Sequence, residues 1–350
     1  MSIERLGIFT RLLDGAADAT VYQLALEQVE LAERLGYDSA WVAQHHFDPD
    51  EGGLPSPLVF LAAASARTSR LRLGTAVVTL PSESILRLAE DVAVLDQISG
   101  GRLELGVAAG GTPRTFTAFG LDPADRGPLF SQALDRLVEV LSGADVAGPG
   151  HTLFPSGRDV LDRIWQATFS APGGARAGAA GHGLLLSRTQ PRPVESPGAA
   201  LSTVQRPIVA AYEDALAPQA VRRVAASRSV LVGRHHERVV AAARAGVARF
   251  AAYSARNGQP IPGGDPDTLL KALDVHHGTP EEVIASLLAD SVALDATDLL
   301  IQVHPTDPGQ DATLESIELF AREVAPALGW HGSVGTAGTV APALVGTPRS

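Results

Sequence analysis

A parallel (β/α)8 barrel is the fold this sequence predicts, and three observations predict it. Short apolar runs alternate with amphipathic segments eight times, the count that closes a parallel barrel, whereas doubly wound sheets usually have fewer strands. The chain has 350 residues, 45% of them hydrophobic, which fits either two ordinary domains or one large barrel; the eight repeats favour the barrel. Residue types that carry chemistry gather directly after the apolar runs, where a parallel barrel opens its site.

The elements follow in order. Leu6-Gly7-Ile8-Phe9 forms the first strand. A helix over about 21–35 has Leu24, Val29, Leu31 and Leu35 among charged residues, and Gly36 ends it. The apolar run 38–43 is the second strand, and a helix covers about 56–68. Strand three spans 71–78 and the next helix about 85–97, stopping before Gly100-Gly101. Strand four is 103–108; a Gly-rich loop leads to a helix near 129–141. Strand five is about 164–169, followed by a small-residue helix at 173–180 and strand six at 184–186. Pro191, Pro193 and Pro197 make 187–202 a loop. A helix near 208–216, a strand near 224–232 and a helix over about 237–253 come next. Residues 257–264 form a Pro/Gly connection. Strand eight is 299–303 and the last helix about 314–324. One barrel domain is therefore expected over 1–330, with loop insertions near 188–201 and 257–277. The small, aperiodic stretch after it, 331–350, reads as a flexible tail.

Composition bounds the chemistry. Lys plus Arg total 28 against 39 Asp plus Glu, a formal net charge of −11 with no basic run, which disfavours nucleic acid and anionic membrane as partners. Cysteine is absent, so thiolate nucleophiles, thiolate metal sites and disulfides are excluded. The N-terminus lacks a signal-peptide pattern and no apolar stretch reaches membrane-spanning length, so a cytoplasmic location is expected.

Trp41-Val42-Ala43-Gln44-His45-His46-Phe47 is the most informative stretch. Neighbours on an extended chain point to opposite faces, so one imidazole turns over the mouth while the other packs outward. An imidazole there can move protons near neutral pH; a lone histidine at a strand end is more often a packing residue, and the pair shifts that balance modestly. No carboxylate or third histidine stands at helical spacing to make a metal site, and neither a nucleophile elbow nor a Walker-type loop occurs. Ala108-Ala109-Gly110-Gly111-Thr112 fits an ordinary turn as well as an anion cradle. The strand-to-helix turn Ser170-Ala171-Pro172-Gly173-Gly174-Ala175-Arg176 is more specific, because the N–H groups and positive dipole end of a helix favour phosphate.

Three blocks resemble the bacterial luciferase-like flavin-dependent monooxygenases: residues 41–47, 73–81 and above all 89–107, with Ser99-Gly100-Gly101-Arg102 at its turn. The similarity covers about 1–125 and resumes at about 160–190 and around Gly278-Thr279-Pro280-Glu281-Glu282. It implies a TIM barrel of that type binding reduced FMN in its mouth for reaction with O2. His45 corresponds to the family's active-site histidine and is expected to transfer a proton during the oxygen reaction; Gln44 beside it replaces the usual acid. Ala76 and Val77 fall where the family often has a non-proline cis peptide beneath the flavin ring. Thr168, Ser170, Gly173 and Gly174 match its phosphate-binding turn, with Ala109 and Gly110 lining the opposite loop. Luciferases carry an arginine at the position of Ala109, which leaves Arg114, Arg176 or Arg188 as substitutes. Phe9, Trp41, Val78, Leu80, Phe116 and Phe169 are candidate apolar walls that keep water out, or barrel core.

The first functional expectation is a two-component monooxygenase acting on a small organic substrate. The absence of a Gly-x-Gly-x-x-Gly fingerprint points to reduced flavin arriving from a separate reductase. The alternatives are a deazaflavin-dependent hydride-transfer enzyme of the same fold and a non-catalytic flavin-binding protein. A homodimer is expected by analogy with the family.

Overall fold

Parallel pairing runs unbroken around a closed ring in the computed structural model, which describes residues 3–13, 20–196, 198–257, 261 and 263–332. The strands are β1 (Arg5–Thr10), β2 (Ser39–Val42), β3 (Arg72–Thr75), β4 (Val78–Thr79), β5 (Leu103–Ala108), β6 (Ile164–Ala167), β7 (Gly183–Leu186), β8 (Val224–Val232), β9 (Val275–Gly278) and β10 (Asp298–Gln302). The ring closes β1-β2-β3-β5-β6-β7-β8-β10 and back to β1, giving eight positions. Two short strands are extras: β4 continues the line of β3 beside β5, and β9 pairs with β8 from Ser229 on, just past its ladder with β10. The helices are α1 (Thr20–Leu35), α2 (Pro57–Ser65), α3 (Ile85–Ser99), α4 (Pro113–Ala118), α5 (Arg126–Leu141), α6 (Ala171–Ala179), α7 (Leu201–Ala215), α8 (His236–Arg256), α9 (Pro266–Ala272), α10 (Pro280–Leu288), α11 (Ser291–Asp295) and α12 (Gln310–Leu319). Among the described residues none is long and apolar enough to cross a membrane. Residues 333–350, most of the expected tail, lie outside the described residues.

The expected strands are present, with three local differences. Strand three is interrupted by a cis peptide at Ala76–Val77, which splits it into β3 and β4. Helix α7 starts at Leu201, seven residues before its expected start, and carries Pro207 inside it; a proline within a turn removes one helical hydrogen bond but not the apolar face formed by Leu201, Ile208, Val209 and Tyr212. The stretch 257–277, expected to be a loop, holds α9 and the start of β9. Asp265 caps α9 by accepting from the Asp267 and Thr268 N–H groups, and the four residues of β9, two of them histidines, are too few to show an alternation.

Close approaches set the barrel interior. Trp41 and Trp165 meet edge to face at 5.6 Å in a layer with Leu185, Ala225 and Leu300. Each indole lies against a neighbouring strand's glycine: a Cβ on Gly74 would come 2.2 Å from Trp41, and one on Gly183 2.2 Å from Trp165. At the opposite, amino-terminal end, Gly100 and Gly101 (φ +68° and +77°) end α3 in the left-handed region. Arg102 then donates to the carbonyls of Ser65, Thr68, Leu71 and Ser99 and to the Thr68 hydroxyl. That motif, the most specific of the resemblance, is a stability device: it sits at the end of the barrel away from the mouth.

Candidate active site

Because every ring strand runs the same way, their carboxyl ends share one rim. His45 follows β2, Ala109 and Gly110 follow β5, Thr168–Gly174 follow β6 and Arg188 follows β7. His45 and Gly173 therefore stand on the same rim, after strands three ring positions apart.

His45 is held on several sides. Its N–H donates to the Leu54 carbonyl at 2.9 Å, and its Nδ1 lies 3.4 Å from Glu51 Oε1. The ring rests on Gly52, where a Cβ would come within 2.5 Å of Cδ2. Burial, with the positive charge of Arg11 second, lowers the His45 pKa to about 4 against the opposing pull of Glu51. For Glu51, burial alone would raise the pKa; the hydrogen bonds from His45, Thr112 and Arg114 outweigh it and bring it to about 2. Near neutral pH the pair is thus a neutral imidazole beside a carboxylate. A carboxylate only accepts, so Nδ1 carries the imidazole proton and Nε2 keeps its lone pair.

The loop that carries Glu51 is clasped from three directions. Thr112 Oγ1 donates to Glu51 Oε1 at 2.5 Å, and Arg11 Nη2 donates to the Glu51 carbonyl at 2.6 Å. Arg114 binds Asp48 and Glu51 and reaches Tyr253 Oη and Asn257 Oδ1 at the end of α8. Tyr253 donates to Asp48 at 3.0 Å. Glu51, Gly52 and Arg11 were not singled out from the sequence, since a carboxylate six residues past a histidine in a loop has no periodic signature. The one available signal is the Glu51-Gly52-Gly53 run in the loop that follows the histidine pair.

Gln44 is engaged as a tether. Its Nε2 donates to Glu83 Oε1 at 2.7 Å and to the Pro55 carbonyl at 3.2 Å, and its Oε1 accepts from the Thr79 N–H at 2.8 Å. An amide releases no proton near neutral pH, so Gln44 fixes the β4 rim and carries no proton. His46 packs away from His45, edge-on to Phe119 at 5.2 Å and beside Phe47.

The turn after β6 is built by its own side chains. Ser170 caps α6, accepting from the Gly173 N–H at 3.3 Å, and Thr168 Oγ1 accepts from the Ser170 N–H at 3.2 Å. A Cβ at Gly173 would come 2.0 Å from Thr168 Oγ1. Gly174 is committed elsewhere: its N–H donates to the Ser170 carbonyl at 3.0 Å, and a Cβ there would come 2.4 Å from the Ile208 carbonyl of α7. Its smallness serves helix packing. Of the arginines considered as phosphate partners, Arg114 is the clasp described above. Arg176 donates to Gln166 and lies over Phe130. Arg188 donates to Gln302 of β10 and lies over Phe250 of α8.

Above the tryptophan layer, Phe9, Ala76, Val77 and Ala167 pack on it while staying partly open. This open-topped apolar step, at the ends of β1, β3 and β6, suits a flat aromatic ring, and the neutral His45 and the capped turn after β6 stand on the same rim. The arrangement fits a flavin or deazaflavin ring. Of the other expected wall residues, Trp41, Val78, Leu80 and Phe116 are buried core, while Phe169 is half exposed.

Residues 6–297 match the model of the luciferase-like monooxygenase family. The chain is a member of that family. It is 40% identical over 118 residues to 4-hydroxyprotoasukamycin monooxygenase of Streptomyces nodosus subsp. asukaensis, covering 34% of this chain and 32% of that protein. The curated relatives matched in this way are spanned over about half of their length or less. The fold is similar to the oxygenating constituent of 3,6-diketocamphane monooxygenase of Pseudomonas putida, solved in complex with FMN, at a TM-score of 0.73 and 19% identity over 93% of this chain and 98% of that one. It is also similar to the coenzyme F420 dependent tetrahydromethanopterin reductase of Methanopyrus kandleri, at a TM-score of 0.65 and 18% identity over 93% of this chain and 99% of that one.

Proposed function

We propose that this protein is an FMN-dependent monooxygenase that uses reduced FMN and O2 to oxidise a small organic substrate, with the reduced flavin supplied by a separate reductase. One observation carries the reading: a neutral, half-buried His45 with its proton on Nδ1 facing Glu51 stands on the rim of an open apolar step.

Phe9, Ala76, Val77 and Ala167 would bear the ring. The backbone at Ala109 and Gly110 would border it, and Thr168, Ser170 and Gly173 would receive the phosphate at the start of α6, where the helix dipole favours negative charge. When bound, reduced FMN supplies the electrons that activate oxygen for insertion into the substrate. His45 holds the other end of the chemistry: Nε2 accepts a proton from the reacting centre or returns one, while Glu51 stabilises the transient positive charge through Nδ1. The Arg114–Asp48–Tyr253 clasp keeps the Glu51 loop closed against water.

A deazaflavin-dependent hydride transfer is the second reading. Ala109 favours it, because the position that would carry a phosphate-binding arginine holds a methyl group. Oxygen uptake by the protein supplied with reduced FMN and a small-molecule panel tests the first reading. Substrate-dependent uptake above the rate of free reduced flavin supports it. Absence of any such uptake, together with reduction of the deazaflavin coenzyme, replaces it with the second.

A further inference from the structure

On four side chains near the mouth, five buried polar atoms lack hydrogen-bond partners among the described residues: Nη1 and Nη2 of Arg188, Nε of Arg11, Nε2 of His304 and Oε1 of Gln190, as does His46 Nε2 on the β2 side. Unpartnered buried groups are rare, and a charged one is rarer still. Three of the four come together. Arg188 lies over the face of Phe250 at 5.6 Å, and His304 meets the same ring edge-on at 5.0 Å. Arg11 and His304 line one small cavity of about 30 Å³ with Phe9, Gln302 and Asp307, and Gln302 is the residue that accepts from Arg188 Nε at 3.3 Å.

Among the described residues the charges on this wall do not cancel. Arg188 feels Arg11 and Asp307, and Asp307 is already bonded to His304 Nδ1 at 2.7 Å. Glu51 faces Arg11 but is held by Thr112 and Arg114. Among the described residues, two guanidinium groups therefore meet one carboxylate of their own wall, and the fork of Arg188 is open. Burial, then Arg11, lowers the Arg188 pKa to about 9, so it stays charged at neutral pH. Among the described residues it bonds Gln302 and lies over Phe250, away from the turn after β6 that the flavin phosphate would occupy.

We infer that Arg188, with Arg11 and His304, forms the subsite for a carboxylate on the substrate, so that the substrate class is a small organic acid whose apolar part lies toward Phe9 and the open step. A planar carboxylate matches the two free N–H donors of the fork, and His304 and Arg11 supply further donors beside it. The cavity lined by Arg11 and His304 is small, about 30 Å³, which leaves the bulk of the molecule in the mouth. The inference rests on the reading that flavin and substrate share this mouth.

The test is direct binding to the protein without flavin. Acetate, benzoate, phenylacetate and octanoate are titrated by calorimetry alongside the neutral benzamide. At least one carboxylate is expected to bind where benzamide does not, and Arg188→Gln is expected to weaken it roughly tenfold or more. Arg188→Lys, which keeps the charge and loses the fork, is expected to weaken it as well and stands in should the glutamine variant fail to fold. Reduced FMN affinity is expected to be unchanged in both. No binding by any carboxylate, equal binding by the variants, or loss of FMN affinity in them overturns the subsite. Carboxylate binding in a protein that takes no reduced FMN would sink the proposed flavin chemistry and leave the subsite standing.

Discussion

His45 Nδ1 faces Glu51 Oε1 at 3.4 Å, and the two groups ionise in a way that makes one tautomer of the imidazole the working one. The histidine stays neutral because burial, chiefly, works against its charge. The glutamate stays charged because its hydrogen bonds outweigh its own burial. Together they resemble the base and orienting carboxylate of proton-transfer sites on unrelated folds.

Removing either member has a distinct expected outcome. His45→Ala should lower turnover by about 10²- to 10⁴-fold, the usual worth of a positioned acid–base group, with reduced FMN affinity largely intact. Glu51→Gln leaves the ring but frees its tautomer, and should lower turnover by roughly tenfold or more with a smaller effect on flavin affinity. Steady-state oxygen uptake measures both. Full turnover in the alanine variant removes His45 from proton transfer.

Gly52 gives a test through geometry. A methyl group there would lie 2.5 Å from His45 Cδ2, so Gly52→Ala should push the ring out of line and reduce turnover by roughly an order of magnitude, since sub-ångström misplacement is costly in such sites. The far-ultraviolet circular dichroism spectrum should be unchanged. An unaffected rate would show that the ring position is not critical.

The turn after β6 separates phosphate from ring binding. Gly174→Asp would drive a side chain into the Ile208 carbonyl and is expected to cost stability before it reports on phosphate. Ser170→Asp is the better probe, because aspartate also caps a helix while placing a negative charge where the phosphate would sit. It should weaken reduced FMN and leave reduced riboflavin nearly unaffected. Equal loss for the two flavins would move the phosphate away from this turn.

Stability should depend on acid in a defined window. Burial, first among the causes in each case, lowers His45, His182 and His276 to about 4 and His304 to about 3. Unfolded histidines titrate near 6.5, so below that pH the unfolded chain binds protons that the folded one refuses. Stability is therefore flat with respect to these groups above about pH 7 and falls as pH drops from about 6.5 toward 4. Each histidine contributes about 1.4 kcal/mol per pH unit in that range. Thermal unfolding followed from pH 7.5 to 4.5 checks the slope; a Tm that is constant down to pH 5 contradicts the neutral-histidine reading.

The barrel was legible in the sequence because its strands are apolar runs between amphipathic helices, and because Gly100-Gly101 punctuates α3 so clearly. The rim assignments of His45 and the Ser170 turn followed from that order, since parallel strands put their ends together. What escaped lies where no period exists. Glu51 and Gly52 are loop residues; β9 is four residues long; α7 hid behind a proline-rich approach and its own Pro207. The packing role of Gly174 depends on where α7 crosses α6, a tertiary relation with no local signature. The open fork of Arg188 likewise appears only once β7, β10 and α8 are brought together.

Equilibrium dialysis of the anaerobic protein against reduced FMN and, separately, against the deazaflavin coenzyme tests the central claim most directly. Retention of one reduced FMN per chain, with quenching of the fluorescence of Trp41 and Trp165 beneath the step and weaker retention by Ser170→Asp, is the predicted result. Retention of the deazaflavin coenzyme alone, or of neither, would contradict it.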